Sequence, residues 1–144
     1  MTAVAYLFDT DAISELLRPR PLPLYLDWLK TIPREDQFSS AVTVGELFKG
    51  AYRSSAQERH LKNVEERILP AVTTLPYDVG VARVFGKIRA RLEQGGNILP
   101  DADLQIAATA LYHDLELVTG NLRHFERIPD LRLNRVLADS RAND

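Results

Sequence analysis

Ala3-Val-Ala-Tyr-Leu-Phe8 is apolar at every position and stops at an acid, Asp9. A strand with one wet face alternates polar and apolar residues, so a strand with no polar face must be covered on both sides. That is the condition of a strand inside a parallel sheet flanked by helices. Helix-like residues follow through Arg18, where Arg18-Pro-Arg-Pro-Leu-Pro23 stops the helix. A short helix over 24–31 carries the only tryptophan. Next, Gln37-Phe-Ser-Ser-Ala41 reads as a strand leading into a helix over 43–52, whose apolar positions 44, 47, 48 and 51 have helical spacing.

Two longer helices are predicted near 55–69 and 77–94, the second closed by Gly95-Gly96. Asp101 to Leu111 is almost wholly apolar beyond its first turn, which predicts a helix buried nearly all round. Glu116-Leu-Val-Thr119 reads as a strand, Gly120-Asn121 as a turn and Leu131-Arg-Leu133 as a short strand. Strands alternating with helices imply an α/β chain with a central parallel sheet. A length of 144 residues with 45% hydrophobic residues suits one compact domain, expected over 1–137, and the polar residues 138–144 are expected to form a frayed tail.

No cysteine is present, which removes disulfides and thiolate sites together, so any metal must be held by oxygen or nitrogen. The N-terminal apolar run has no basic residues before it and is too short for a signal peptide. No run approaches the ~20 apolar residues that cross a bilayer, and Thr2 excludes myristoylation. A soluble, cytoplasmic protein with no membrane role is expected. A net charge of −2 argues against coating nucleic acid by bulk attraction and leaves room for a local basic patch.

In open α/β sheets ligands gather beyond the carboxyl ends of strands, which makes Asp9 a candidate for chemistry. Asp9 reads equally well as the N-cap of the helix that follows. Thr43-Val-Gly-Glu46 matches a capping box, a structural role for Glu46. Asp101 and Asp103 share a first turn, where the macrodipole favours acids. Yet that helix is so apolar that its first turn must lie against the sheet end. Acids brought to one sheet edge repel each other unless a cation neutralises them. Oxygen ligands with open water positions suit Mg2+, with Mn2+ as the alternative, and such a site activates a water for in-line attack on a phosphodiester. His60, His113 and His124 lack metal-ligand spacing and read as surface or structural residues. No Walker loop, GxGxxG or Ser-His-Asp pattern is present.

Leu7-Phe-Asp-Thr-Asp11, Thr43-Val-Gly-Glu-Leu47, Asp101-Ala-Asp-Leu-Gln-Ile-Ala-Ala-Thr-Ala110 and Leu117-Val-Thr-Gly-Asn121 with His124-Phe125 stand in an order that resembles the PIN domain of VapC toxins over nearly the whole chain. The resemblance implies a PIN-like three-layer α/β/α sandwich. It also implies a Mg2+-dependent endoribonuclease toxin, a VapB-type antitoxin, an RNA substrate and a homodimer. Carried over by position, the site is Asp9, Glu46 and Asp103, each a metal ligand, and Asn121 stands where a fourth acid often occurs. Asp101 either supplies part of the missing charge or caps its helix. Thr10 reads either as a support for the site, through its hydroxyl or backbone, or as a turn residue after the strand, and Asp11 as part of the helix start.

For RNA, Arg83, Lys87 and Arg91 recur every four residues, a stripe whose plainer reading is a solvated helix face. Lys49, Arg53, Arg18 and Arg20 lie nearer the acids in sequence. The sequence admits two rival readings. Phe8-Asp-Thr-Asp11 after an apolar strand also resembles the start of haloacid-dehalogenase-like phosphatases, which expect a later acid pair at a strand end and leave Glu46 without a role. A binding module without catalysis would fit Asn121 but not three intact acids.

Overall fold

The computed structural model describes residues 4–143. Five short strands form one parallel sheet: β1 (Tyr6–Phe8), β2 (Gln37–Ser40), β3 (Thr73–Leu75), β4 (Glu116–Val118) and β5 (Leu133–Asn134). Their order is β3-β2-β1-β4-β5, so β1 is central. The first strand is shorter than its apolar run, and Ala3 lies outside the described residues.

Strand alternation divides the core into two layers. Leu7 and Leu117 face α5 (Val79–Gln94) and α6 (Asp101–Tyr112). Phe8 and Val118 face the opposite layer, which holds α1 (Thr10–Leu16), α2 (Pro23–Leu29) and α8 (Val136–Ala142). Helix α3 (Ala41–Arg53) packs on β2 and β3, with α4 (Gln57–Asn63) against it. The result is a three-layer α/β/α sandwich, as expected.

Local chemistry explains the long helices. Asp78 caps α5 by accepting the Val81 amide at 3.0 Å, and Gly96, at φ +73°, follows its end in the left-handed region that glycine tolerates. Val81, Ile88 and Leu92 are buried, while Arg83, Lys87 and Arg91 are exposed along the other side. In α6, Leu104 and Ile106 to Ala110 are all buried, so only its first turn can carry acids at low cost.

Three expectations need correction. The helix predicted over 55–69 is α4 followed by a π-helical turn at Val64–Ile68. Strand β3 was not predicted, because an edge strand with two of its three residues exposed has no apolar run to reveal it. The tail from 138 is ordered to 142: α8 buries Leu137 and Ser140, and Arg141 bonds back to α1.

Strand β1 feeds β2 on one side and β4 feeds β5 on the other, so the topological switch lies between the carboxyl ends of β1 and β4. Asp9 leaves one of these ends and Thr119-Gly120-Asn121 the other. No helix among the described residues is long and apolar enough to cross a membrane.

Candidate acid site at the switch point

Asp9 continues the β1 ladder through its amide, which donates to the Val118 carbonyl at 3.1 Å. Its carboxylate caps α1, accepting the Ala12 amide at 2.7 Å. The capping reading holds, and the cap occupies one of the two carboxylate oxygens. Asp9 is only 5% exposed. Burial pushes its carboxyl from 3.8 up to about 7; the Thr119 side chain and Ala12 amide oppose the rise, and the charges of Asp11 and Asp103 add to it.

Helix α3 begins three residues earlier than the capping-box reading requires. Ser40, the last residue of β2, is the N-cap, with its Oγ accepting the Thr43 amide at 2.9 Å. Glu46 is thereby released from a capping role. Its Oε1 accepts from Thr10 Oγ1 at 2.5 Å. Thr10 Oγ1 is also 3.2 Å from Thr43 Oγ1. One hydroxyl has one proton, so Thr10 gives its proton to Glu46 and accepts from Thr43. This chain of three side chains links Glu46 to Thr10, the residue that follows Asp9.

Asp103 sits in the first turn of α6, and its Oδ2 is 2.7 Å from Nε2 of His124 in α7 (Leu122–Phe125). Sequence reasoning missed this partner, because spacing rules look for histidines near one another rather than near an acid. Phe125 is buried in the short helix that presents His124, an arrangement that local sequence does not encode.

The remaining acids point elsewhere. Asp101 pairs with Arg89 and is largely exposed. Both oxygens of Asp11 are taken by Arg141, at 2.7 and 2.9 Å. Asn121 is exposed in the turn after β4, its amide donating to Thr119 Oγ1 at 3.0 Å. A groove of about 340 Å³ runs beside Glu46, lined by Thr10, Arg18, Leu47, Gly50 and His60. Of the basic residues considered above, Arg18 borders it.

Asp9, Glu46 and Asp103 each hold a separate donor: an amide, a hydroxyl and an imidazole. Among the described residues, no three His, Asp or Glu side chains are gathered as a ready metal cage. The donor chemistry nonetheless fits a hard divalent cation. A buried carboxyl that carries two like charges nearby is stabilised by positive charge, and oxygen donors match Mg2+ and Mn2+.

The PIN domain family model matches residues 6–131. Ribonuclease VapC2 of Haemophilus influenzae strain Rd is 35% identical over 127 residues, covering 88% of this chain and 94% of the relative. The tRNA(fMet)-specific endonuclease VapC of Salmonella typhimurium is 42% identical over 94 residues, covering 65% and 70%. Among solved structures, DNA-bound VapBC from Salmonella typhimurium superposes with a TM-score of 0.85 at 32% identity, covering 92% of this chain and 98% of the other.

Proposed function

This chain belongs to the PIN-domain family, in its VapC group, and on that premise we propose that it is a divalent-metal-dependent endoribonuclease, the toxin of a type II toxin–antitoxin pair. The observation that carries the reading is Asp9 buried at the end of β1, with the charge of Asp103 acting on it and Glu46 bonded to Thr10, the residue that follows it. Asp9 and Asp103 would hold Mg2+ directly, and Glu46 would hold it directly or through a water. When bound, the cation polarises a phosphoryl oxygen and lowers the pKa of a water.

The chain's own groups do the rest. Thr10 orients Glu46, and His124 orients Asp103. The hydrophobic surroundings that raise the Asp9 carboxyl also exclude water from its inner side. Asn121, at the fourth position, orients a water without adding negative charge. Attack by water needs no 2′-hydroxyl, so RNA preference is supported by the relatives called ribonuclease and tRNA endonuclease rather than by the acids. The VapBC complexes among the structural neighbours support a VapB-type antitoxin. Homodimerisation and a cytoplasmic location complete the proposal.

The test uses the purified chain freed of any antitoxin and a mixed single-stranded RNA substrate. Cleavage that stops with EDTA, returns with Mg2+ and is absent in Asp9→Ala is the expected result. Turnover of a small phosphomonoester without RNA cleavage would overturn it in favour of the phosphatase reading.

A further inference from the structure

Arg141 stands near the end of the chain yet meets the first turn of α1, 130 residues away in sequence. Its guanidinium grips Asp11 at two points and reaches Glu15 Oε1 at 3.2 Å. Glu15 is buried and also receives Arg18 and the Leu22 amide, each at 3.2 Å. A third segment closes on the same group: a Cβ on Gly120 would run into both the Arg141 guanidinium and the Asp11 carboxylate. One side chain thus ties α8 to the start of α1 and to the turn that carries Thr119 and Asn121.

Asp11 does not need this partner for its own stability. It is in the first turn of α1, where the macrodipole already favours an acid, and its side chain is 42% exposed. What a two-point fork adds is direction. Asp11 is two residues from Asp9, and its charge acts on Asp9. An Asp11 side chain free to rotate would be a competing oxygen ligand.

We infer that Arg141 is a positioning residue that occupies both Asp11 oxygens, so that Asp11 does not join the ligand set of a cation held by Asp9, Glu46 and Asp103. The inference rests on the nuclease reading above for its kinetic consequence, but not for its effect on cation binding. Loss of Arg141 leaves Asp11 unpaired and removes a positive charge near the site. Both changes favour tighter cation binding with the wrong ligands.

The experiment compares wild type, Arg141→Gln, Asp11→Asn and the double variant by Mn2+ titration with electron paramagnetic resonance, by RNA-cleavage kinetics and by melting temperature. Arg141→Gln is expected to bind Mn2+ about tenfold more tightly and to lose at least about tenfold in kcat, with KM for RNA within about twofold, the scale of effect for groups that orient ligands. Asp11→Asn/Arg141→Gln is expected to restore both, since the competing carboxylate is gone. Unchanged Mn2+ affinity in Arg141→Gln overturns the inference. So does a kcat loss that the double variant fails to restore, which would make Arg141 a strut for α8. If Arg141→Gln does not fold, Arg141→Lys keeps the charge and loses the fork; the same two criteria apply to it. A wild type that binds Mn2+ but cleaves no RNA defeats the nuclease reading alone, and the Mn2+ comparison still decides the role of Arg141.

Discussion

The starts of α1 and α6 carry the same short pattern, Asp-x-Asp, and sort it in opposite ways. At α1 the first acid, Asp9, lies at the switch point and the second, Asp11, is held by Arg141. At α6 the second acid, Asp103, meets His124 while the first, Asp101, pairs outward with Arg89. The difference comes from what precedes each helix. Asp9 ends a central strand and is buried before the helix begins, whereas Asp101 follows Pro100 on the surface and only the next turn of α6 enters the core. In each pair an arginine accompanies the other acid, Asp11 or Asp101, and the Asp-x-Asp pattern by itself does not say which acid that is.

The comparison is broken most directly at Asp9 and Asp103. Asp9→Asn and Asp103→Asn should each lower RNA cleavage by more than about a hundredfold, beyond the 10–100-fold cost of losing only a supporting group. Stability should separate them. The rise of the Asp9 carboxyl from 3.8 to about 7 corresponds to on the order of 4 kcal/mol in favour of its neutral form. Because the folded value lies above the unfolded one, this contribution is present below about pH 4 and is lost as the pH rises through about 7. In EDTA at pH 8, Asp9→Asn should therefore be more stable than wild type by a few kcal/mol at most, measured by urea denaturation. Asp103, with a side chain 31% exposed, should gain much less. A destabilised Asp9→Asn would show that the burial cost is met by contacts the asparagine cannot keep. Added Mg2+ should raise the melting temperature of wild type but not of Asp9→Asn/Asp103→Asn; equal shifts would remove these two from the ligand set.

A smaller effect sharpens the α6 half of the comparison. His124→Ala should reduce kcat by about 10–100-fold with little change in KM, and His124→Gln, which keeps a donor near Asp103 Oδ2, should recover part of the loss. Equal rates for wild type and both variants would make the 2.7 Å contact incidental.

These assignments differ in how readable they are from the chain. The unbroken apolar run before Asp9 and the apolar body of α6 predict a buried strand and a buried helix, and with them that the acid at the end of each lies at an edge of the sheet. Glu46 was placed on the right helix, but its capping-box reading failed because Ser40 starts α3 sooner than Thr43 would. His124 and Arg141 are legible only through tertiary structure. Their partners stand 21 and 130 residues away, and neither local propensity nor charge spacing encodes contacts of that range. Arg141 was also hidden by its setting, since a polar terminal stretch resembles a frayed tail unless Leu137 and Ser140 are seen to be buried.

The smallest effect belongs to the outward pair, and it is the one that tests whether the two arginines are equivalent. Arg89 bonds Asp101 and also Glu93 at 2.7 Å, but Asp101 and Glu93 are more than half exposed. Surface pairs of this kind contribute about 0.2–1 kcal/mol and weaken in salt. A carboxylate turned outward from the helix start has no short path to Asp9, so releasing it should not create a competing ligand. Arg89→Gln is accordingly expected to lower stability by less than about 1 kcal/mol, to leave Mn2+ affinity within about twofold and to leave kcat unchanged, in contrast to Arg141→Gln. Mn2+ binding that tightens in Arg89→Gln as it does in Arg141→Gln would mean that Asp101 can reach the cation after all, and that both Asp-x-Asp pairs are policed in the same way.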